Sequence, residues 1–233
     1  MRKIFIISRT DGPMAVVYEM EDPAETVANA LTRINEGLEK TEEGPIRWEC
    51  SCLQKKCGAC AMVINGRPGL ACDARLSEYG KTIRLEPLTK FPRVADLTVD
   101  RSVLFENLKA LGAWLSDPAE AREGTWELSY ESSRCLQCGC CLEVCPNFDP
   151  DGAFAGTAAA VPIARLLSEL PAESLAELSK TYRDHFYNGC GKSLACRNLC
   201  PAGIDIDRML VNSNAVAVWK RFIKEKTGGK HHE

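Results

Sequence analysis

Cys135, Cys138, Cys141 and Cys145 stand at the spacing C-x2-C-x2-C-x3-C, and Pro146 follows the last of them. They belong to the middle one of three clumps, Cys50 to Cys72, Cys135 to Cys145 and Cys190 to Cys200, which together hold all 13 cysteines. Two cysteine-free intervals separate the clumps, so the layout predicts two modules. The odd count argues against a disulfide framework, which pairs its members. The opening MRKIFIIS has two basic residues and then an apolar run only from Ile4 to Ile7, too short for a secretory leader. These features predict a reducing compartment, where thiols stay free to hold metal.

At 233 residues the chain has room for two modest domains, each with its own core. A formal net charge of −3 and a pI near 5.8 leave no basic footprint, which excludes a nucleic-acid partner. No run approaches the roughly 18 apolar residues needed to cross a bilayer. The chain is expected to be soluble and able to dock on a partner that spans.

Lys3 to Ser8 and Met14 to Met20 read as β-branched strands joined through Asp11, Gly12 and Pro13, a hairpin. Ala24 to Leu38 sets Val27, Ala30, Leu31, Ile34 and Leu38 at helical spacing, with Gly37 near the stop. Met62 to Ile64 leads into the turn pair Asn65-Gly66, and Thr82 to Glu86 makes a late strand. The order β-β-α-β-β fits a small α+β domain. From Asp100 or Ser102, either able to cap a helix, Val103, Leu104, Phe105, Leu108, Leu111, Trp114 and Leu115 take helical spacing. Further helices are predicted over Ile163 to Leu170, Ala172 to Phe186 and Asp205 to Lys226, the last closed by Gly228 and Gly229. The polar stretch Ser116 to Arg134 reads as an exposed loop or a frayed connection. The domains are placed at 1–98 and 99–233.

In the first clump, Cys52-Leu-Gln-Lys-Lys-Cys57-Gly-Ala-Cys60, with Cys72 downstream, has the plant-type spacing that wraps a 2Fe-2S cluster. A loop folding around such a cluster must aim backbone N–H groups at sulfur, which Gly58 and the small Ala59 permit. The competing structural zinc site expects two separated C-x2-C pairs. Cys50 lies off the spacing and is expected to be a spare buried thiol. The middle clump is the bacterial ferredoxin run, in which three cysteines hold one cubane and the fourth reaches across to another. Cys190-x5-Cys196-x3-Cys200-Pro201 supplies the reciprocal half, with Ser193 where the first half has Cys138. The crossed arrangement predicts a 4Fe-4S cluster on Cys135, Cys138, Cys141 and Cys200. Cys145, Cys190 and Cys196 are left to hold a 3Fe-4S cluster, because a serine oxygen is a poor replacement for a soft thiolate. Losing a corner iron changes net charge and would make this third cluster the stronger acceptor. Cys140, inside the run but off its spacing, is expected to pack as a small hydrophobe.

In the order and spacing of these motifs, and in the linker Phe91-Pro-Arg-Val-Ala-Asp-Leu-Thr-Val-Asp100, the sequence resembles the iron-sulfur subunits of succinate dehydrogenase and fumarate reductase. The likeness covers nearly the whole chain, and Ser193 falls where that family also lacks a cysteine. It implies an α+β chain, with an N-terminal β-grasp domain of the plant-type 2Fe-2S ferredoxin kind followed by an all-α helical ferredoxin domain. It implies a non-catalytic, electron-relaying subunit of an oxidoreductase complex. The implied partners are a FAD-containing flavoprotein subunit and a cytochrome b-type membrane anchor, with a quinone near the 3Fe-4S cluster. The implied place is peripheral, on the cytoplasmic face of the cytoplasmic membrane, where partner subunits hold the chain.

No general acid or base is needed for such a role. His231 and His232 lie in a tail, and His185 has no serine or cysteine arrangement that suggests a triad. Relatives that use ubiquinone often carry a tryptophan pair after the crossover cysteine and a histidine beside the first cysteine of the third clump. Here Cys145 is followed by Pro146, Asn147, Phe148 and Asp149, and Cys190 by Gly191, which favours fumarate reductase with a menaquinone-type partner. The rival redox reading is the iron-sulfur subunit of another flavoprotein complex, such as a thiol-linked fumarate or heterodisulfide reductase. Those usually add cysteine-rich CCG modules, and none follows Cys200. The final helix places Met209, Leu210, Val216, Trp219, Phe222 and Ile223 in an apolar stripe beside Lys220, Arg221, Lys224 and Lys226. That is the pattern of an amphipathic helix packing on its own domain.

Overall fold

The structure, a computed structural model, describes residues 1–120 and 124–220. The chain groups into two compact units: Met1–Arg101 with Leu136–Val144, and Ser102–Cys135 with the chain from Cys145 onward. The segment Leu136–Val144, which a single cut after residue 98 assigns to the second domain, groups with the first.

In the first unit, β1 (Arg2–Arg9) and β2 (Gly12–Glu19) pair antiparallel, from Arg2 opposite Glu19 to Arg9 opposite Gly12. Pro13 sits within β2, which is tolerated because β2 lies at the sheet edge. The helix α1 (Val27–Leu38) begins later than Ala24 because Thr26 caps it. Asn29 donates its N–H to Thr26 Oγ1, while the Asn29 side chain accepts from Thr26 N–H. The strands β3 (Ala61–Ile64) and β4 (Arg67–Leu70) turn at Asn65-Gly66, and β5 (Thr82–Glu86) lies between β1 and β3. The sheet order is β2-β1-β5-β3-β4, with β5 parallel to β1 and antiparallel to β3. This is the expected β-grasp arrangement. β4 escapes prediction because Pro68 and Gly69 disguise an edge strand. Phe5, Ile7, Leu31, Met62, Ile83 and Leu85 are enclosed between sheet and helix positions. The linker closes with β6 (Arg93–Ala95) and β7 (Thr98–Val99), which turn at Asp96. The Asp96 carboxylate accepts from Thr10 N–H at 2.9 Å and from Arg47 N–H at 2.9 Å, stitching the linker to the sheet unit.

The second unit is helical. Its α2 (Ser102–Leu111) stops short of Trp114 and Leu115, because Gly112 turns the chain at φ +69°. The loop expected over Ser116 to Arg134 is corrected by α3 (Trp126–Ser133). Its buried positions are Ser129 and Ser132, so an apolar periodicity never shows. Ser129 Oγ lies 3.2 Å from Ser168 Oγ in the interior. A short α4 (Cys140–Glu143) occupies the segment that groups with the first unit.

Next comes α5 (Thr157–Glu169), which begins well before Ile163 and carries Pro162 inside it. A proline there suggests a start, and Ala158, Ala159 and Ala160 give no strong apolar period, although all three are buried. Their small size lets neighbours approach, and α5 packs against α2, α3, α6 (Leu175–Tyr182) and α7 (Ile206–Asn214). α6 runs into a π turn at Arg183–Tyr187, and α7, capped by Asp205, into another at Ala215–Trp219. Arg221 to Lys226, Gly228, Gly229, His231 and His232 lie outside the described residues. Among the described residues no helix is long and apolar enough to cross a membrane.

Candidate metal centres

The first clump forms a loop held open by left-handed backbone at Leu53 (φ 52°), Lys55 (φ 58°) and Gly58 (φ 75°). That curvature turns amides inward. Gln54 N–H donates to Cys52 Sγ at 3.3 Å, Lys56 N–H to the same sulfur at 3.4 Å, and Lys55 N–H to Cys72 Sγ at 3.3 Å. The Gln54 and Lys56 amides pull the Cys52 thiol down to about 7, whereas burial pushes the Cys60 thiol up to about 12. Cys57 hydrogen-bonds Cys52, and Cys60 has both Cys72 and Cys57 as electrostatic neighbours, so all four expected thiols meet here. Soft sulfur donors surrounded by inward amides suit an anionic iron-sulfur cluster. Cys50 is exposed, which corrects its expected burial.

Arg101 braces this loop. Its guanidinium donates to Gly58 O at 3.0 Å and to Ala59 O at 2.5 Å, and it pairs with Glu49. Nothing in the sequence marks Arg101, because it bonds backbone far away along the chain. On its other side Gly58 abuts the Leu136 carbonyl and Cys138, leaving no space for a Cβ.

Cys138 and Cys141 lie in the segment grouped with the first unit. Gln137 (φ 50°) and Gly139 (φ 85°) bend it tightly, and a Cβ on Gly139 would strike the Phe91 ring at 2.9 Å. Glu143 anchors it by accepting from Thr89 Oγ1 at 2.6 Å and from Lys90 N–H at 3.1 Å. Cys140 is fully buried, as expected of a packed thiol, and it has a second role. Donating to Cys138 sulfur raises the Cys140 thiol and brings Cys138 down to about 7.

Cys135, Cys145, Cys190, Cys196 and Cys200 lie in the second unit. Arg134 donates to Ala202 O at 2.7 Å, and Asp205 N–H to Glu131 Oε1 at 2.6 Å, so the end of α3 draws Cys135 toward the Cys200 turn. Asn147 Nδ2 donates to Gly189 O at 2.9 Å and leaves no room for a Cβ on Gly191, which clamps the Cys145 loop onto that of Cys190. Burial raises the buried Cys196 thiol, with Cys145 and Cys190 as electrostatic neighbours. Cys196 is thus within electrostatic reach of the other two cysteines expected in its set. Lys192, Leu194 and Asn198 take left-handed backbone around them. Ser193 is exposed, and its Oγ accepts from Ala195 N–H at 3.5 Å. His185 serves the fold through its carbonyl, which accepts from Ala155 N–H at 2.8 Å. Among the described residues no three His, Cys, Asp or Glu side chains converge closely enough to hold a single metal ion.

Residues 6–106 match the family described as a 2Fe-2S iron-sulfur cluster binding domain, and residues 131–204 the family described as a 4Fe-4S dicluster domain. The chain is 34% identical over 236 residues to the succinate dehydrogenase iron-sulfur subunit of Bacillus subtilis (strain 168), covering 90% of each. It is 33% identical over 157 residues to the fumarate reductase iron-sulfur subunit of Haemophilus influenzae, covering 59% of this chain and 60% of that one. A chain of the solved Mycobacterium smegmatis Sdh1 complex in the apo form shares the fold. It has a TM-score of 0.69 at 24% identity, covering 94% of this chain and 97% of the other.

Proposed function

The chain belongs to the family of succinate dehydrogenase and fumarate reductase iron-sulfur subunits, and from that premise we propose which residues hold its clusters and what they connect. It is an electron-transfer subunit of a multi-subunit oxidoreductase of that family, whose cofactors are 2Fe-2S, 4Fe-4S and 3Fe-4S clusters. Cys52, Cys57, Cys60 and Cys72 would hold the first. Cys135, Cys138, Cys141 and Cys200 would hold the second, and Cys145, Cys190 and Cys196 the third. Clusters so bound supply one-electron acceptors and donors, which suits draining or filling a two-electron flavin stepwise.

The chain's own contribution is grip and environment. The amides of Gln54, Lys55 and Lys56 complement thiolate charge, Arg101 fixes the loop that carries them, and Asn147 fixes Cys145 against Cys190. The observation that carries the reading is the first of these: three amides aimed at two sulfurs of one four-thiol loop.

The proposed partners are a FAD-containing flavoprotein subunit and a cytochrome b-type anchor with a quinone beside the third cluster, on the cytoplasmic face of the membrane. Named relatives include both a succinate dehydrogenase and a fumarate reductase subunit. Pro146 to Asp149 and Gly191 support the fumarate reductase, menaquinone-type reading.

The test is anaerobic purification of the native complex, identification of what copurifies, and assay of succinate oxidation and fumarate reduction with low- and high-potential quinone analogues. A flavoprotein partner and fumarate reduction driven by the low-potential analogue are expected. A copurifying flavoprotein with no activity toward either dicarboxylate would refute the proposal.

A further inference from the structure

We propose that the Thr157 hydroxyl, donating to Cys196 sulfur, raises the reduction potential of the third cluster. The inference rests on the assignment of Cys196 as a ligand of that cluster.

Thr157 opens α5 and is 3% exposed, and Cys196 is 8% exposed. Thr157 Oγ1 stands 3.5 Å from Cys196 Sγ, donor to acceptor, in the interior of the second unit. A buried hydroxyl left without an acceptor is costly, so its partner is a matter of energy and not of chance proximity. Inside a helix a threonine hydroxyl commonly bonds the carbonyl one turn back. As the first residue of α5, Thr157 has no helical turn behind it, and the hydroxyl turns to sulfur instead. The preceding Gly156, at φ +73°, brings no side-chain cap.

Reduction adds one electron to this site at the expense of its donor, so the site becomes more negative. A hydroxyl proton directed at a ligand sulfur stabilises that more negative state. Hydrogen bonds to sulfur are among the recognised levers on cluster potential. A purely structural role would need only the shape of Thr157, which valine closely matches.

The experiment is an EPR-monitored redox titration of the native complex carrying Thr157→Val, Thr157→Ser or no change. In Thr157→Val the midpoint of the three-iron signal is expected to move down. At a given potential the reduced-to-oxidised ratio should fall about tenfold, or ~59 mV for a one-electron couple. Thr157→Ser, which keeps the hydroxyl, should stay near wild type, and the first cluster's midpoint should not move in either variant. EPR reads only assembled clusters, so partial loss in one variant does not obscure the midpoint of the rest. If valine blocks assembly, Thr157→Ala is titrated in the same way. An unchanged midpoint in the variant lacking the hydroxyl would overturn the proposal. Absence of a three-iron signal from the wild type would instead overturn the ligand assignment on which it stands.

Discussion

At Gly58 the chain leaves no room for a single methyl group. A Cβ would lie 2.7 Å from Leu136 O and 2.9 Å from Cys138 Cβ, at a φ of +75° that disfavours side chains. Gly58→Ala is expected to cost ~2 kcal/mol and to lower retention of the 2Fe-2S cluster, measured as visible circular dichroism and iron per chain after anaerobic purification. Wild-type retention would show that the contact yields. Arg101 acts on the other side of the same peptide. Arg101→Met strips the Gly58 and Ala59 carbonyls of their donor and should lower stability by about 2 kcal/mol in urea melts, with lysine restoring only part because it lacks the fork. Asp96 sets an acid limit on the first unit. Burial alone would raise its pKa, but the amides of Arg47 and Thr10 and the charge of Arg9 outweigh it and hold the carboxyl below the ordinary range. A depressed folded pKa stabilises above the unfolded value and is lost as pH falls through the folded one. The gap in melting temperature between wild type and Asp96→Asn should therefore be widest above about pH 5 and close as pH drops below ~4. A gap independent of pH would remove Asp96 from this account.

Among the elements, α5 is the one the second unit is built around. Ile163 is fully buried on it, and Ile163→Ala should cost about 2–5 kcal/mol, seen as loss of the helical signal at lower denaturant. Ala160, equally enclosed, should reject leucine by about 1–3 kcal/mol, since overpacking a filled helix contact forces neighbours off their rotamers. Tolerance of both changes would mean that α5 is peripheral. The same helix shows where reading residues in order succeeds and where it stops. Strands β1 and β5 and the helix α1 announce themselves by alternation or by helical spacing, because each turns one apolar face to a core, and β3 by a short apolar run that ends at the Asn65-Gly66 turn. The first turn of α5 is a threonine and three alanines with a proline in the next, and α3 buries serines, so neither carries a periodic apolar signal. Their helicity comes from packing and from tertiary bonds such as Ser129 to Ser168. β4 hides behind Pro68 for the same kind of reason.

For the molecule as a whole, cysteine spacing is enough to propose which thiols belong together, since short loops between ligands constrain where each can go. Arg101, Asn147 and Thr157 were invisible, because each acts across many residues of chain on a backbone or sulfur atom that spacing does not specify. Ser193 offers a test of the whole cluster series. Ser193→Cys returns a thiol to the one position where the two halves differ. It is expected to replace the three-iron EPR signal with a four-iron spectrum of lower potential. Persistence of the three-iron signal would place the gap elsewhere. The first loop has one more consequence. Its Cys52 sulfur accepts from the peptide N–H groups of Gln54 and Lys56, whose side chains are exposed. Every residue except proline brings the same N–H. Those two side chains are thus free to diverge to suit whatever surface lies opposite, while the hydrogen bonds that their amides give to sulfur are inherited unchanged.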